Sequence, residues 1–168
     1  MNDPNQEVPA NDESDHADVK FPPPIVGILT IIIGYMVGRF FPILDHFLLP
    51  APARYWVGGI ICVVSAMVFV VWPFKLFQII EQDPKPWTPT PELIITGPYK
   101  FTRNPMYLMM VLWCVGFSII LDEAWVFALA PVCGYVIYLT AIRHEEKYLE
   151  EKFGDSYRAY KKNVRRWI

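Results

Sequence analysis

Apolar residues come in four blocks along this chain, separated by polar or proline-rich segments. The blocks run from about Ile25 to Phe41, Trp56 to Trp72, Pro105 to Leu121 and Trp125 to Ile142. A helical residue advances about 1.5 Å, so each block can cross or nearly cross a hydrocarbon layer of ~30 Å. The pattern predicts an all-α integral membrane protein with four transmembrane helices. Tryptophans bracket the second block, as in an interfacial aromatic belt, and Pro73 is expected to end it. Asp122-Glu123 leaves room only for a tight turn, so the last two blocks form an antiparallel hairpin. Pro131 predicts a kink in the fourth helix that opens space for a ligand or neighbour. Gly34 and Gly38 have the GxxxG spacing that lets another helix approach, which permits a homodimer through that face.

The polar segments differ in character. Residues 1–22 carry Asp3, Glu7, Asp12, Glu13, Asp15 and Asp18 with almost no large apolar side chains. Such a segment cannot bury a core and is predicted to be disordered. It lacks the basic start and apolar centre of a signal peptide. Residues 23–168 are predicted to form a single membrane domain. The segment from Pro73 to Asn104 holds six prolines before Tyr99 and no clear period. Beyond Ile142, Leu149, Phe153, Tyr157, Tyr160 and Val164 recur at three- and four-residue steps, interrupted by Gly154. This predicts two short amphipathic helices, about 143–152 and 155–163, lying on the membrane surface or folding back over the loop.

Composition agrees with a membrane protein: 54% of the 168 residues are apolar and 15% aromatic, and the mean hydropathy is +0.26. The net charge of −2 conceals an acidic start and a basic end, which suits anionic lipid headgroups better than nucleic acid. Lys75, Lys85, Lys100 and Arg103 lie between the second and third blocks, and eight more cations follow Ile142. The opposite loops carry only Arg54, so both chain ends are expected on the cytoplasmic side. That membrane would be a bacterial inner membrane or, in a eukaryote, the endoplasmic reticulum. Cys62, Cys114 and Cys133 are odd in number, lack a CxxC pair and lie in apolar runs. They read as packing residues, with no metal site or disulfide framework.

Chemistry is concentrated in two places. The first is Gly97-Pro98-Tyr99-Lys100-Phe101-Thr102-Arg103-Asn104-Pro105-Met106-Tyr107. Gly97-Pro98 marks a turn, and Asn104-Pro105 reads as a helix start. A helix N-terminus beside Arg103 suits a carboxylate or phosphate; equally, the stretch can be a basic interfacial loop. Leu93-Ile94-Ile95 ahead of it fits either a pocket wall or a membrane anchor. The second place is Glu145-Glu146, which follows the last apolar block directly. The pair fits a solvated helix face, or a carboxylate held near the membrane surface beside Arg103 and Asn104. His144 reads as a surface residue.

Taken in order, G-P-Y-K-F-T-R-N-P-M-Y (97–107) and E-E-K-Y-L-E-E-K-F-G-D-S-Y-R-A-Y-K-K-N-V-R-R-W-I (145–168) resemble the isoprenylcysteine carboxyl methyltransferase and phospholipid methyltransferase superfamily. The resemblance covers about the last eighty residues. It implies an integral-membrane methyltransferase that uses S-adenosylmethionine without a Rossmann domain, and the chain contains no GxGxxG. It also implies cofactor binding by Leu93, Ile94, Tyr99, Asn104, Pro105, Met106, Tyr107 and Glu145, with catalytic or supporting roles for Arg103, Glu145 and Glu146. Two positions depart from the pattern. Asn104 stands where the family usually has His, and it cannot titrate near neutrality. Ala141 stands where the family often has Arg, which leaves Arg143 as the nearest cation for the substrate.

The residue types suit that chemistry. Tyr99 and Tyr107 offer aromatic faces to a sulfonium, at about 0.5–2 kcal/mol each. Glu145 can pair with an amine, and the helix start with Arg103 can take a carboxylate. Methyl transfer needs alignment and exclusion of water rather than a metal. No strong base is evident in the sequence, which favours a lipophilic or lipid-linked carboxylate or thiol acceptor, reached sideways from the bilayer near Gly34, Gly38 or Pro131. Three alternatives stay open: a phospholipid N-methyltransferase, an NADPH-dependent membrane reductase of related architecture, and a non-catalytic module that binds anionic lipid.

Overall fold

A computed structural model describes residues 21–42, 49–79 and 92–168. The acidic segment 1–20 and the proline-rich stretch 80–91, with Lys85, lie outside the described residues. Helix α1 spans Pro23–Phe40. Helix α2, Ala53–Ala66, passes through a π-turn at Met67–Val71 into α3, Trp72–Ile79. A short 3-10 turn at Gly97–Lys100 precedes α4, Pro105–Leu121. Helix α5, Ala124–Ile137, passes through a second π-turn at Tyr138–Ile142 into α6, Arg143–Asn163. No strand occurs among the described residues. The predicted all-helical class holds: three helices, Pro23–Phe40, Ala53–Ile79 and Ala124–Asn163, are long and apolar enough to cross a membrane, and α4 is a shorter apolar helix.

Helix α4 is the central element and packs on α1, α2 and α5, while α1 also packs on α5. The core between them holds Val26, Tyr107, Cys114, Val126, Ala130, Cys133, Ile137, Ala141 and Ile142. Cys114 and Cys133 are therefore packing groups there, as expected. Ile28, Ile32, Ile33, Val63, Val64, Val132 and Leu139 point outward and are exposed. Apolar side chains on the outside of an apolar bundle are what a lipid solvent requires.

Two prolines behave differently from the sequence expectation. Pro73 does not end the second helix, which runs on to Ile79. The π-turn just before it supplies the reason. Trp72 N–H bonds to the Met67 carbonyl five residues back, and this wider turn leaves room for a ring that has no N–H to give. Pro131 lies on the exposed side of α5, and the helix continues through it. The departure from α geometry comes later, at Tyr138–Ile142.

The α4–α5 turn is as short as expected. Asp122 adopts a left-handed conformation (φ 57°), with its N–H bonded to the Ile119 carbonyl at 3.3 Å and that of Glu123 to Ser118 at 2.9 Å. Asp tolerates this conformation because its side chain is short and polar. Arg54 at the start of α2 grips Asp122 at 2.7 Å. The Glu123 side chain accepts from the Trp125 N–H at 3.3 Å and so caps α5.

Gly34 and Gly38 do not form a free dimer face, which corrects the sequence expectation. They receive α5 of the same chain. A Cβ at Gly34 would lie 2.8 Å from the Val126 Cα, and one at Gly38 would overlap the Glu123 carboxylate. The small-residue stripe is used inside the bundle, so it is not the free surface that its spacing permitted. Gly59 has nothing within 4 Å of its would-be Cβ and provides a control. Gly34→Ala should lower the thermal midpoint in detergent by several degrees, because overpacking against backbone costs about 1–3 kcal/mol. Gly59→Ala should not lower it.

Candidate functional site

The site is assembled at the end of the bundle where the second π-turn, the 97–104 loop and the segment after α6 meet. The loop is shaped by its own residues. Gly97 has φ +60°, and a Cβ there would sit 3.0 Å from Leu76 and Trp72 of α2–α3. Glycine is the residue that tolerates both constraints. Pro98 is buried, and its carbonyl accepts from the N–H groups of Phe101 and Thr102 at 3.0 and 3.2 Å. Tyr99 packs edge-on against Phe77 at 6.3 Å between ring centroids, which ties the loop to the unexpected extension of the second helix.

Residues 164–168 then run beneath this loop. The Arg103 N–H donates to the Arg165 carbonyl at 3.0 Å. The Thr102 hydroxyl and the Asn104 amide both donate to the Arg166 carbonyl, at 3.0 and 3.2 Å. Tyr160 donates to the Tyr99 carbonyl at 2.7 Å. Trp167 packs onto the core near Gly134 and Val111. Asn104 is the N-cap of α4, and its carbonyl accepts from the Leu108 N–H at 3.0 Å. Its side chain makes no capping bond, however, because it is turned to the 164–168 segment.

The sequence separates the two glutamates by one position, and the structure separates them by environment. Glu146 is 7% exposed. Arg166 meets both of its carboxylate oxygens, at 3.0 and 2.7 Å, and Arg103 meets one at 2.9 Å. Burial alone would raise this carboxyl, but the hydrogen bonds from Arg166 and the two guanidinium charges hold it below its usual range. The other Arg103 nitrogen donor reaches the carbonyls of Lys161 and Val164, at 3.0 and 3.2 Å.

Glu145 points elsewhere. Tyr107 of α4 donates its hydroxyl to the Glu145 carboxylate, and the Tyr99 ring lies close enough to feel the same charge. Burial, helped by the neighbouring Glu146 charge and opposed by the Tyr107 hydrogen bond, pushes Glu145 up to about 7. Residue 145 nevertheless keeps some exposure, so it stands at the edge of the packed core. Tyr99 is raised above its ordinary value, by burial first and then by the Glu145 charge. Two phenolic rings and one carboxyl raised to about 7 therefore lie together here.

Of the sequence candidates, Tyr99, Tyr107 and Glu145 converge. Pro105 is buried at the first turn of α4, Met106 is half-buried beside it, and Leu93 and Ile94 are half-buried in the strand-like approach to the loop. Arg103 and Glu146 face each other, so Arg103 is paired with a carboxylate of its own chain. Arg143 is exposed at the start of α6. Sequence reasoning missed Thr102, Tyr160, Arg166 and Trp167. An arginine and a tryptophan in a short basic run give no periodic signal, and only the return of the chain reveals them. It also missed the near-neutral carboxyl, because the raised value comes from burial.

The chain was compared with known proteins on this basis. Residues 53–156 match the phospholipid methyltransferase family. The protein-S-isoprenylcysteine O-methyltransferase of Dictyostelium discoideum is 30% identical over 140 residues, 82% of this chain and 56% of the relative. That of Schizosaccharomyces pombe is 32% identical over 72 residues, 43% of this chain and 30% of the relative. An uncharacterized protein of Haemophilus influenzae is 40% identical over 63 residues, 38% of this chain and all of its own length. The chain thus spans about half, or less, of the two named relatives. No solved structure matches it.

The electrostatics of Glu145 give a measurable consequence. A carboxyl raised from 4.5 to about 7 on folding holds its proton more tightly in the folded state, so stability falls as pH rises between those values. Glu145→Gln should remove that component. Its unfolding midpoint should gain on the wild type between about pH 4.5 and 7 and stay higher above, as followed by thermal unfolding in detergent at a series of pH values.

Proposed function

Because the chain belongs to the phospholipid methyltransferase family, we propose that it is an integral-membrane methyltransferase that moves a methyl group from S-adenosylmethionine to a lipophilic or lipid-linked acceptor. The observation that supports this reading is the meeting of Tyr99, Tyr107 and Glu145 at the end of the bundle. Two aromatic rings and a carboxylate are a set of groups that suits a cation carrying a second, amine-borne charge.

When bound, the cofactor supplies an electrophilic methyl group on a positively charged sulfur. An acceptor lone pair would take that methyl, and the electron pair of the carbon–sulfur bond would remain on sulfur. The chain's own task is placement. Glu145, once ionised, pairs with the amine, and Tyr107 keeps that carboxylate turned inward. The Tyr99 and Tyr107 rings face the cation. Leu93, Ile94, Pro105 and Met106 are read as apolar groups that would help exclude water, and proximity and orientation can be worth roughly 7–11 kcal/mol. Asn104 supports the site through its grip on the 164–168 segment.

The acceptor is read as a carboxylate or thiol, in line with the two O-methyltransferases to which the chain is similar. Arg143, exposed where α6 leaves the bundle, is placed to meet an anionic acceptor group. The Lys and Arg distribution supports an orientation with the site and both chain ends on the cytoplasmic side.

Titration calorimetry in detergent should detect S-adenosylmethionine and its demethylated product. Affinity should rise with pH through about 7 as Glu145 ionises. Glu145→Gln should weaken binding about ten- to a hundredfold, as loss of a charge-assisted hydrogen bond implies, and should flatten the pH dependence. Absence of heat with folded wild-type protein would overturn the reading.

A further inference from the structure

Helix α6 is poorly anchored by its own backbone where it matters most. It leaves α5 through the wide turn at Tyr138–Ile142, and eleven residues after its start Gly154 breaks it with φ 52°, ψ −120°. The first part of α6, residues 143–153, is therefore bounded at both ends by non-α geometry. Adjacent helical positions differ by about 100° around the axis, so whatever fixes the direction of Glu146 also fixes that of Glu145. Glu150 adds a tie across the break, to Lys161 at 2.8 Å, but this pair is substantially exposed.

Arg166 is held on three sides before it reaches Glu146. Its carbonyl accepts from Thr102 and Asn104. Its guanidinium lies 4.7 Å from the centre of the Tyr138 ring, in the π-turn itself. The next residue, Trp167, is packed onto the core. A planar guanidinium meeting both carboxylate oxygens fixes orientation as well as charge, which a single contact does not.

We propose that Arg166 is a positioning residue of the methyl-transfer site: its two-pronged grip on Glu146, opposed by Arg103, sets the rotation of α6 that aims Glu145 at Tyr107. The function assigned to the site rests on the preceding reading; the clamp itself does not. Arg103 alone would already balance the charge of Glu146. Arg166 supplies the second cation on Glu146, whose negative charge is the neighbouring one that raises Glu145. The groups around Glu145 are Tyr107 of α4, Tyr99 of the 97–100 turn, and Glu146 and Tyr157 of α6. Glu146 in turn is faced by Arg103, Arg166, Tyr157 and Glu150. Arg166 is the cation in this set that can be removed while the Arg103 ion pair remains.

The test compares Arg166→Gln, Arg166→Lys, Glu146→Gln and the Arg166→Gln/Glu146→Gln double variant, with Arg158→Gln as a surface control. Protonation of Glu145 is followed by infrared difference spectroscopy of the carboxyl band, assigned with Glu145→Gln, and cofactor affinity by calorimetry. Arg166→Gln should move the Glu145 midpoint to higher pH by about one unit, a tenfold change in proton affinity. It should also weaken S-adenosylmethionine binding about tenfold or more. Arg166→Lys keeps the charge but not the fork, so it should leave the midpoint near wild type and recover the affinity only partly. The double variant should bind no more weakly than the weaker single variant, since both act through one contact.

An unchanged midpoint and affinity in Arg166→Gln overturns the proposal, as do independent, multiplying losses in the double variant. Should Arg166→Gln fail to fold, Arg166→Lys decides alone: wild-type affinity in that variant overturns the proposal, and a partial loss with an unshifted midpoint supports it. The infrared midpoint requires no cofactor. A shifted midpoint in Arg166→Gln together with wild-type protein that binds no S-adenosylmethionine therefore keeps the clamp and removes the functional reading. Wild-type binding with no response to Arg166 does the reverse.

Discussion

A single carboxylate, Glu146, between two guanidinium groups joins the parts of this molecule that carry its chemistry. Arg103 comes from the loop before α4, Arg166 from the segment after α6, and Glu146 from the helix that continues out of α5. Removing one partner of a buried ion pair costs about 3–5 kcal/mol, because the other is left uncompensated. The pairing is therefore a poor source of net stability and a strong source of specificity. It admits one way of closing the end of the bundle and penalises the alternatives.

That closure explains how two adjacent glutamates come to differ. Glu146 spends its charge on two arginines and stays ionised. Glu145, one position earlier, is turned toward phenols, where burial favours its protonated form. Helical geometry places the two side chains on different faces, and the surroundings of each face do the rest. A carboxyl raised to about 7 that then meets a cationic partner can couple ligand binding to the loss of a proton. The apolar bundle contributes by holding Tyr107 against Glu145 from a helix 38 positions earlier in sequence.

The two π-turns serve the same end. One lets the second span continue past Pro73, so that Phe77, Leu76 and Trp72 support the loop carrying Tyr99. The other passes the chain from α5 into α6 and offers Tyr138 to Arg166. Both lie at the junction between membrane helix and site, where a widened turn changes the direction of later side chains without ending the helix. The opposite end of the bundle is closed by ordinary means: a left-handed Asp122, its ion pair with Arg54, and the cap from Glu123.

Much of this was written in the sequence. Four apolar blocks dictated four helices, because unpaired backbone groups cannot be left in lipid. Asp122-Glu123 dictated the hairpin and Gly154 the break in the last helix, and the 97–107 and 145–146 segments, singled out in the sequence, do meet in the fold. Those are local properties, set by hydropathy, turn residues and chain connectivity. The bundle alone decided what depends on which surfaces meet. It turned Gly34 and Gly38 toward α5 rather than a second copy, carried the second helix through Pro73, and bound Arg103 to a carboxylate of its own chain. It also brought Tyr160, Arg166 and Trp167 beneath the loop that carries Thr102. Periodicity reports which face of a helix is buried but not what buries it, so contacts between residues sixty positions apart had to wait for the folded chain.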